Sequence, residues 1–111
     1  MSEGCTVDEL IEIAIAGERV AALLYRGLAQ KFSESHTDAG FWTDMASDEA
    51  EHIKFLRSIR NKLSGDELDS TVDPAVVFDA RRILRYSPEG LLRSVNSMEK
   101  AIDLSHELEN S

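Results

Sequence analysis

Five residues, Asp48-Glu49-Ala50-Glu51-His52, constrain this chain more than any others because of where they fall. Taking every third or fourth residue around them gives Trp42, Met45, Glu49, His52, Leu56, Ile59 and Leu63. The result is an apolar stripe at helical spacing with a carboxylate and an imidazole at its centre. Buried on a helix face, those two groups carry a heavy desolvation cost unless they are paired or hold a metal. Glu-x-x-His is also the spacing by which one helix of a bundle offers two ligands to a di-metal site. Asp48 and Glu51 point away from that stripe and read as solvated charges, whereas Trp42, Met45 and Phe55 read as core.

A second stripe precedes it. Val7, Ile11, Ala14, Glu18, Ala21, Tyr25, Leu28 and Phe32 step by fours and threes, with Glu18 their only charge. Thr6-Val7-Asp8-Glu9 is a capping box that starts this helix. Ala14 and Ala21 flank Glu18 by one turn each, which lets a partner helix or an ion come close. Tyr25 lies two turns further on the same face, within reach of a carboxylate on a neighbouring helix. The polar turn Ser33 to Asp38 is short, so the two helices are expected to be antiparallel neighbours, the second running from about Asp38 to Leu63. Glu18 then stands level with Glu49 and His52, a half-site of two carboxylates and one imidazole. His36, in the turn, is expected to be exposed.

Beyond Gly65 the pattern changes. Gly65 to Asp73 reads as a polar linker, and Asp73-Pro74 as an N-cap with proline at the first helical position, opening a short helix to about Tyr86. Ser87-Pro88 repeats the signal and opens a third main helix to about Glu109, with Leu91, Leu92, Val95, Met98, Ile102 and Leu108 as its apolar face. Glu99 and His106 lie at the edge of that face. No stretch alternates as a strand does, and no internal repeat stands out.

At 111 residues the chain is expected to form one domain over 1–111, divided into a helical hairpin at 6–63 and C-terminal helices at 74–109. The formal net charge of -9 argues against a nucleic-acid surface and against a polybasic membrane anchor. No run approaches the apolar length of a membrane span, and a cytoplasmic location is the expectation. The single cysteine, Cys5, leaves no internal disulfide and no Cys-x-x-Cys metal ribbon.

With those residues in place, the chain resembles the ferritin-like superfamily and, within it, the diiron domain of rubrerythrin. Ala16-Gly17-Glu18 followed by Tyr25 is similar to that family's first-helix motif, Glu49-Ala50-Glu51-His52 to its second-helix motif, and Ser87-Pro88-Glu89 with Glu99 to the start and first ligand of its third helix. The resemblance implies an all-α ferritin-like fold: a helical hairpin plus C-terminal helices, with a four-helix bundle completed by dimerisation. It implies a dinuclear iron centre, with manganese or zinc as other metals the donors suit. Glu18, Glu49, His52 and Glu99 would be the ligands, and Tyr25 would support them. The activity implied is that of a ferroxidase or of a rubrerythrin-like peroxidase.

The family's fourth helix, with its own Glu-x-x-His, has no counterpart among these residues. A homodimer or larger homo-oligomer would supply the second set, two each of Glu18, Glu49 and His52, as the similar encapsulated ferritins do. An enclosing protein shell and an external electron donor are the other expected partners. The competing expectation is a helical interaction or structural module without metal chemistry, or a piece of a longer ferritin-like chain.

Overall fold

A computed structural model describes residues 5–34, 36–85 and 87–109. Two long helices dominate it: α1, Val7–Lys31, and α2, His36–Lys62. Helix α1 begins as its sequence dictates. Thr6 accepts a hydrogen bond from the Glu9 amide at 3.2 Å, and the Glu9 carboxylate accepts from the Thr6 amide at 2.9 Å. Two of the orphan amides of the first turn are thereby satisfied. The helices pack side by side as an antiparallel hairpin. Arg60 near the end of α2 bonds Asp8 at 2.7 Å and pairs with Glu12 at 3.1 Å at the start of α1. The side chain of His36 lies outside the described residues.

The remaining elements fold back over the hairpin. The stretch read as a linker contains a one-turn helix, α3, Gly65–Leu68, whose Ser64 and Glu67 form a second capping box. It also contains strand β2, Thr71–Val72, which pairs antiparallel with β1, Cys5–Thr6. Two residues a side carry no sequence alternation, which is why no strand was expected there. The bridge, with Val7 N–H donating to Ser70 O at 2.9 Å, ties the chain's beginning to its middle. Helix α4, Pro74–Ala80, starts at Asp73 and Pro74 as expected, but a 3-10 turn at Arg82–Arg85 replaces its second half.

The third main helix expected from Pro88 to Glu109 is two helices: α5, Pro88–Ser94, and α6, Met98–Glu109. Val95 is extended at φ -89° and ψ 113° and buried, so it leaves the helix in order to anchor in the core. Ser94 Oγ turns back on Leu91 O at 2.9 Å, and Ser97 Oγ accepts from the Lys100 amide at 3.2 Å. Short polar side chains that bond the local backbone in this way compete with a continuous helix. Helix α5 packs on α1 at Gly27, where a Cβ would run into the Leu92 side chain. Lys31 Nζ donates to Leu92 O beside it.

The core gathers at one end of the hairpin. Ala21, Leu24, Tyr25 and Leu28 of α1, Trp42 and Ala46 of α2, Val95, and Ala101 and Leu108 of α6 form one buried cluster. Tyr25 and Trp42 stack with ring centroids 5.8 Å apart, and Phe41 meets Trp42 edge-on at 4.7 Å. Trp42 Nε1 donates to Met98 Sδ at 3.3 Å, so the buried indole N–H keeps a partner. Phe55, expected in the core, is 66% exposed. No described helix is long and apolar enough to cross a membrane.

Candidate metal centre

The hairpin brings Glu18, Glu49 and His52 together, each through the local pattern that set its helix face. One ligand atom from each lies within 4.8 Å of the others. His52 Nδ1 stands 3.0 Å from Glu18 Oε2 and 3.5 Å from Glu49 Oε2. Glu49 and His52 come from one turn of α2, and Glu18 from the facing turn of α1. Their exposure differs sharply. Glu49 is 2% exposed, whereas the His52 side chain is 53% exposed and looks onto an open groove.

Glu49 is the anomaly in this group. Its Oε2 is fully buried and has no hydrogen-bond partner among the described residues. Burial pushes its carboxyl up to about 9, with the neighbouring carboxylates of Glu18 and Glu109 pushing in the same direction. An unpaired acid so placed holds its proton at neutral pH. A divalent cation in that position would take the place of the proton and satisfy Glu18 and Glu49 at once. Two kinds of donor, carboxylate oxygen and imidazole nitrogen, suit iron, manganese and zinc. The donor set and the orphaned oxygen therefore fit a bound metal.

A cavity of about 460 Å³ opens beside the group, lined in part by Glu18, His52, Phe55, Leu108 and Glu109. The small residues Ala14, Gly17 and Ala21 form its α1 wall, as their spacing around Glu18 anticipated. Tyr25, fully buried, points its hydroxyl to Glu109 and donates to Oε2 at 2.7 Å. Burial raises the Tyr25 phenol well above its usual value, and its bond to Glu109 adds to the effect, so it stays protonated.

Glu99 is not brought to this group. It sits exposed in the first turn of α6, ten residues and about 15 Å of helix from Glu109. The carboxylate that α6 delivers is Glu109, at the opposite end of the same helix. A carboxylate in the last turn opposes the helix dipole, so its placement beside Tyr25 is not explained by helix stability. A signal for it exists in the sequence. Ile102-Asp103-Leu104-Ser105 followed by Glu109 echoes Ile11-Glu12-Ile13-Ala14 followed by Glu18, with the same spacing to the final glutamate. Asp48, Glu51 and His106 are exposed, as solvated charges are.

Comparison with known proteins gives one finding. A family model described as rubrerythrin matches residues 9–106, which span both long helices and most of α6. No curated protein and no solved structure matches the chain.

Proposed function

The chain belongs to the rubrerythrin family, and on that premise we propose that it binds a dinuclear iron centre and acts in iron oxidation or in the reduction of oxygen or peroxide. The observation that carries the reading is the orphaned Oε2 of Glu49, buried between Glu18 and His52. That oxygen makes no hydrogen bond among the described residues of the metal-free fold, and the His52 imidazole is 3.5 Å from it.

Glu18, Glu49 and His52 would hold the iron, His52 through Nδ1, the nitrogen that faces both carboxylates. Iron held there would supply the electrons that reduce oxygen or peroxide. The chain's own part is separable from that chemistry. Burial of Glu49 makes it release a proton as metal arrives, so loading is coupled to pH. Tyr25 fixes the Glu109 carboxylate at the mouth of the site by its 2.7 Å bond, holding a third acid ready to turn inward. The open cavity beside His52 leaves room for the oxidant to enter and for further ligands to approach.

Two carboxylates and one imidazole are half the ligand set of a dinuclear site. A second copy of the chain supplies the other half in this proposal, its Glu18, Glu49 and His52 meeting the first set across the open groove. The test is an anaerobic Fe(II) titration of metal-stripped protein with the particle mass determined alongside, followed by oxygen or peroxide. About one iron per chain in a dimer, and ferric absorption after oxidation, is the expected result. A monomer that takes up no iron is the contrary one, and it would leave a helical interaction module.

A further inference from the structure

A second cavity, of about 450 Å³, lies between α1 and α2 and shares no residue with the one beside His52. Arg19 and Arg26 of α1 face Lys54 and Arg57 of α2 across it. The chain has 12 basic residues against 21 acidic ones, so four cations around one groove run against its overall balance. All four are exposed. Among the described residues Arg19, Arg26 and Arg57 make no ion pair, and Lys54 makes one exposed contact with Glu51 at 3.4 Å. Pairs of like charge looking at one another across a groove repel, and among the described residues an acidic partner offsets that repulsion only at Lys54.

Between the cations the floor is apolar: Ala22, Leu23, Ala50 and Ile53. Leu23 is 54% exposed, a large side chain left uncovered on an otherwise charged face. The floor also continues. A further cavity of about 270 Å³ adjoins this one through the shared Arg26 and Ala50, and runs on past Ala29 and Ala46 with Thr43 and Ser47 at its rim. The groove thus joins a cationic, apolar-floored part to a smaller extension of mixed lining.

We propose that this groove binds an amphiphilic organic anion, a carboxylate or phosphate monoester with a short apolar tail. Its head would bridge the cations of the two helices, and its tail would lie on the alanine-lined floor. The volume is that of a small-ligand site. Guanidinium groups bind carboxylate and phosphate by paired hydrogen bonds, which the three unpaired arginines are free to make. Size decides between this ligand and an acidic protein. Arg19 and Arg26 are two turns apart, about 10 Å, enough to hold one head group. A protein rich in carboxylates would meet the surrounding negative surface of the chain, whereas a small anion meets only the cations. The inference stands apart from the metal reading, because neither cavity residue set nor charge argument involves the metal group.

Calorimetric titration tests it, with octyl phosphate kept below its micelle concentration as the probe. Inorganic phosphate and octanol each supply one half of the ligand. Octyl phosphate is expected to bind at about one per chain and roughly tenfold or more tightly than either half alone. Arg26→Gln with Arg57→Gln, both exposed and outside the core cluster, should lose roughly tenfold in affinity while circular dichroism and melting stay unchanged; Leu23→Asp should lose binding as well. Equal binding of inorganic phosphate, or full binding by the double variant, overturns the proposal. So does an arginine-dependent interaction with a glutamate-rich helical peptide where octyl phosphate does not bind, which would make the groove a protein-docking face.

Discussion

At the level of Tyr25 and Trp42 the α1–α2 hairpin is closed: both rings are fully buried, α6 lies against them, and the indole N–H is satisfied by Met98. Two turns away along α1, at Glu18 and His52, the same hairpin is open. There the imidazole is half exposed, Phe55 faces solvent, and one buried carboxylate oxygen has no partner. The helices are continuous through both regions, so the difference is not one of secondary structure. Apolar burial is concentrated where nothing reactive sits, and the unsatisfied polar group is placed where a ligand can reach it. A fold of this kind gathers its main buried cluster at one end and leaves a ligand-accessible gap at the other.

The sharpest way to separate the ends is to delete a ring from each. Trp42→Ala should cost about 3–5 kcal/mol in chemical denaturation, because it empties a stacked, fully buried site. Phe55→Ala should stay within about 0.5 kcal/mol, since its ring is mostly exposed. Similar losses for the two would erase the distinction between the ends.

Glu49→Gln comes next in size and should act in opposite directions on stability and binding. Removing the ionisable group frees the metal-free protein of a penalty on the order of 2 kcal/mol at neutral pH, and stoichiometric metal binding should disappear. The sign of the pH dependence follows from the same group. Its folded value, about 9, lies above the ordinary 4.5, so the folded state holds the proton more tightly than the unfolded one. The contribution of Glu49 to the stability of the metal-free protein is therefore greatest below about 4.5 and declines as pH rises toward 9, and Glu49→Gln should remove that part of the slope. Metal affinity runs the other way, rising over the same interval as the competing proton becomes easier to displace. Urea titrations and metal titrations at a series of pH values would read both.

Tyr25→Phe is a smaller probe at the boundary of the two regions. It keeps the ring stacked on Trp42 and removes the hydroxyl bonded to Glu109, for an expected loss of about 1 kcal/mol. Thr6→Ala, which breaks the α1 capping box far from either ring, should cost a similar amount or less and leave metal binding unchanged.

Much of this was legible in the sequence, for a physical reason. Glu18, Glu49 and His52 stood out because a charge within a helical apolar stripe is costly, and the stripe places it on a known face. The capping residues Thr6, Asp73 and Ser87 were equally readable, since each is fixed by local hydrogen bonding. What escaped was tertiary. Nothing local distinguishes Glu99 from Glu109, because both lie on α6, and the register that carries Glu109 to Tyr25 depends on Val95 leaving the helix. Phe55 reads as core because it is a large aromatic residue, and only the tertiary packing leaves it in solvent. The α1 echo at Ile102 to Glu109 was present throughout, but five related residues in eight are too few to distinguish from chance without the fold.

The most direct test of the account is whether Glu49 exchanges a proton for a metal. Infrared difference spectra of metal-free and metal-loaded protein at pH 7, with Glu49→Gln to assign the signal, would observe the carboxyl group itself. The account predicts a protonated-carboxyl band in the metal-free protein that vanishes on loading and is missing from the variant. A metal-free spectrum without that band, or a band that survives metal binding, would contradict it.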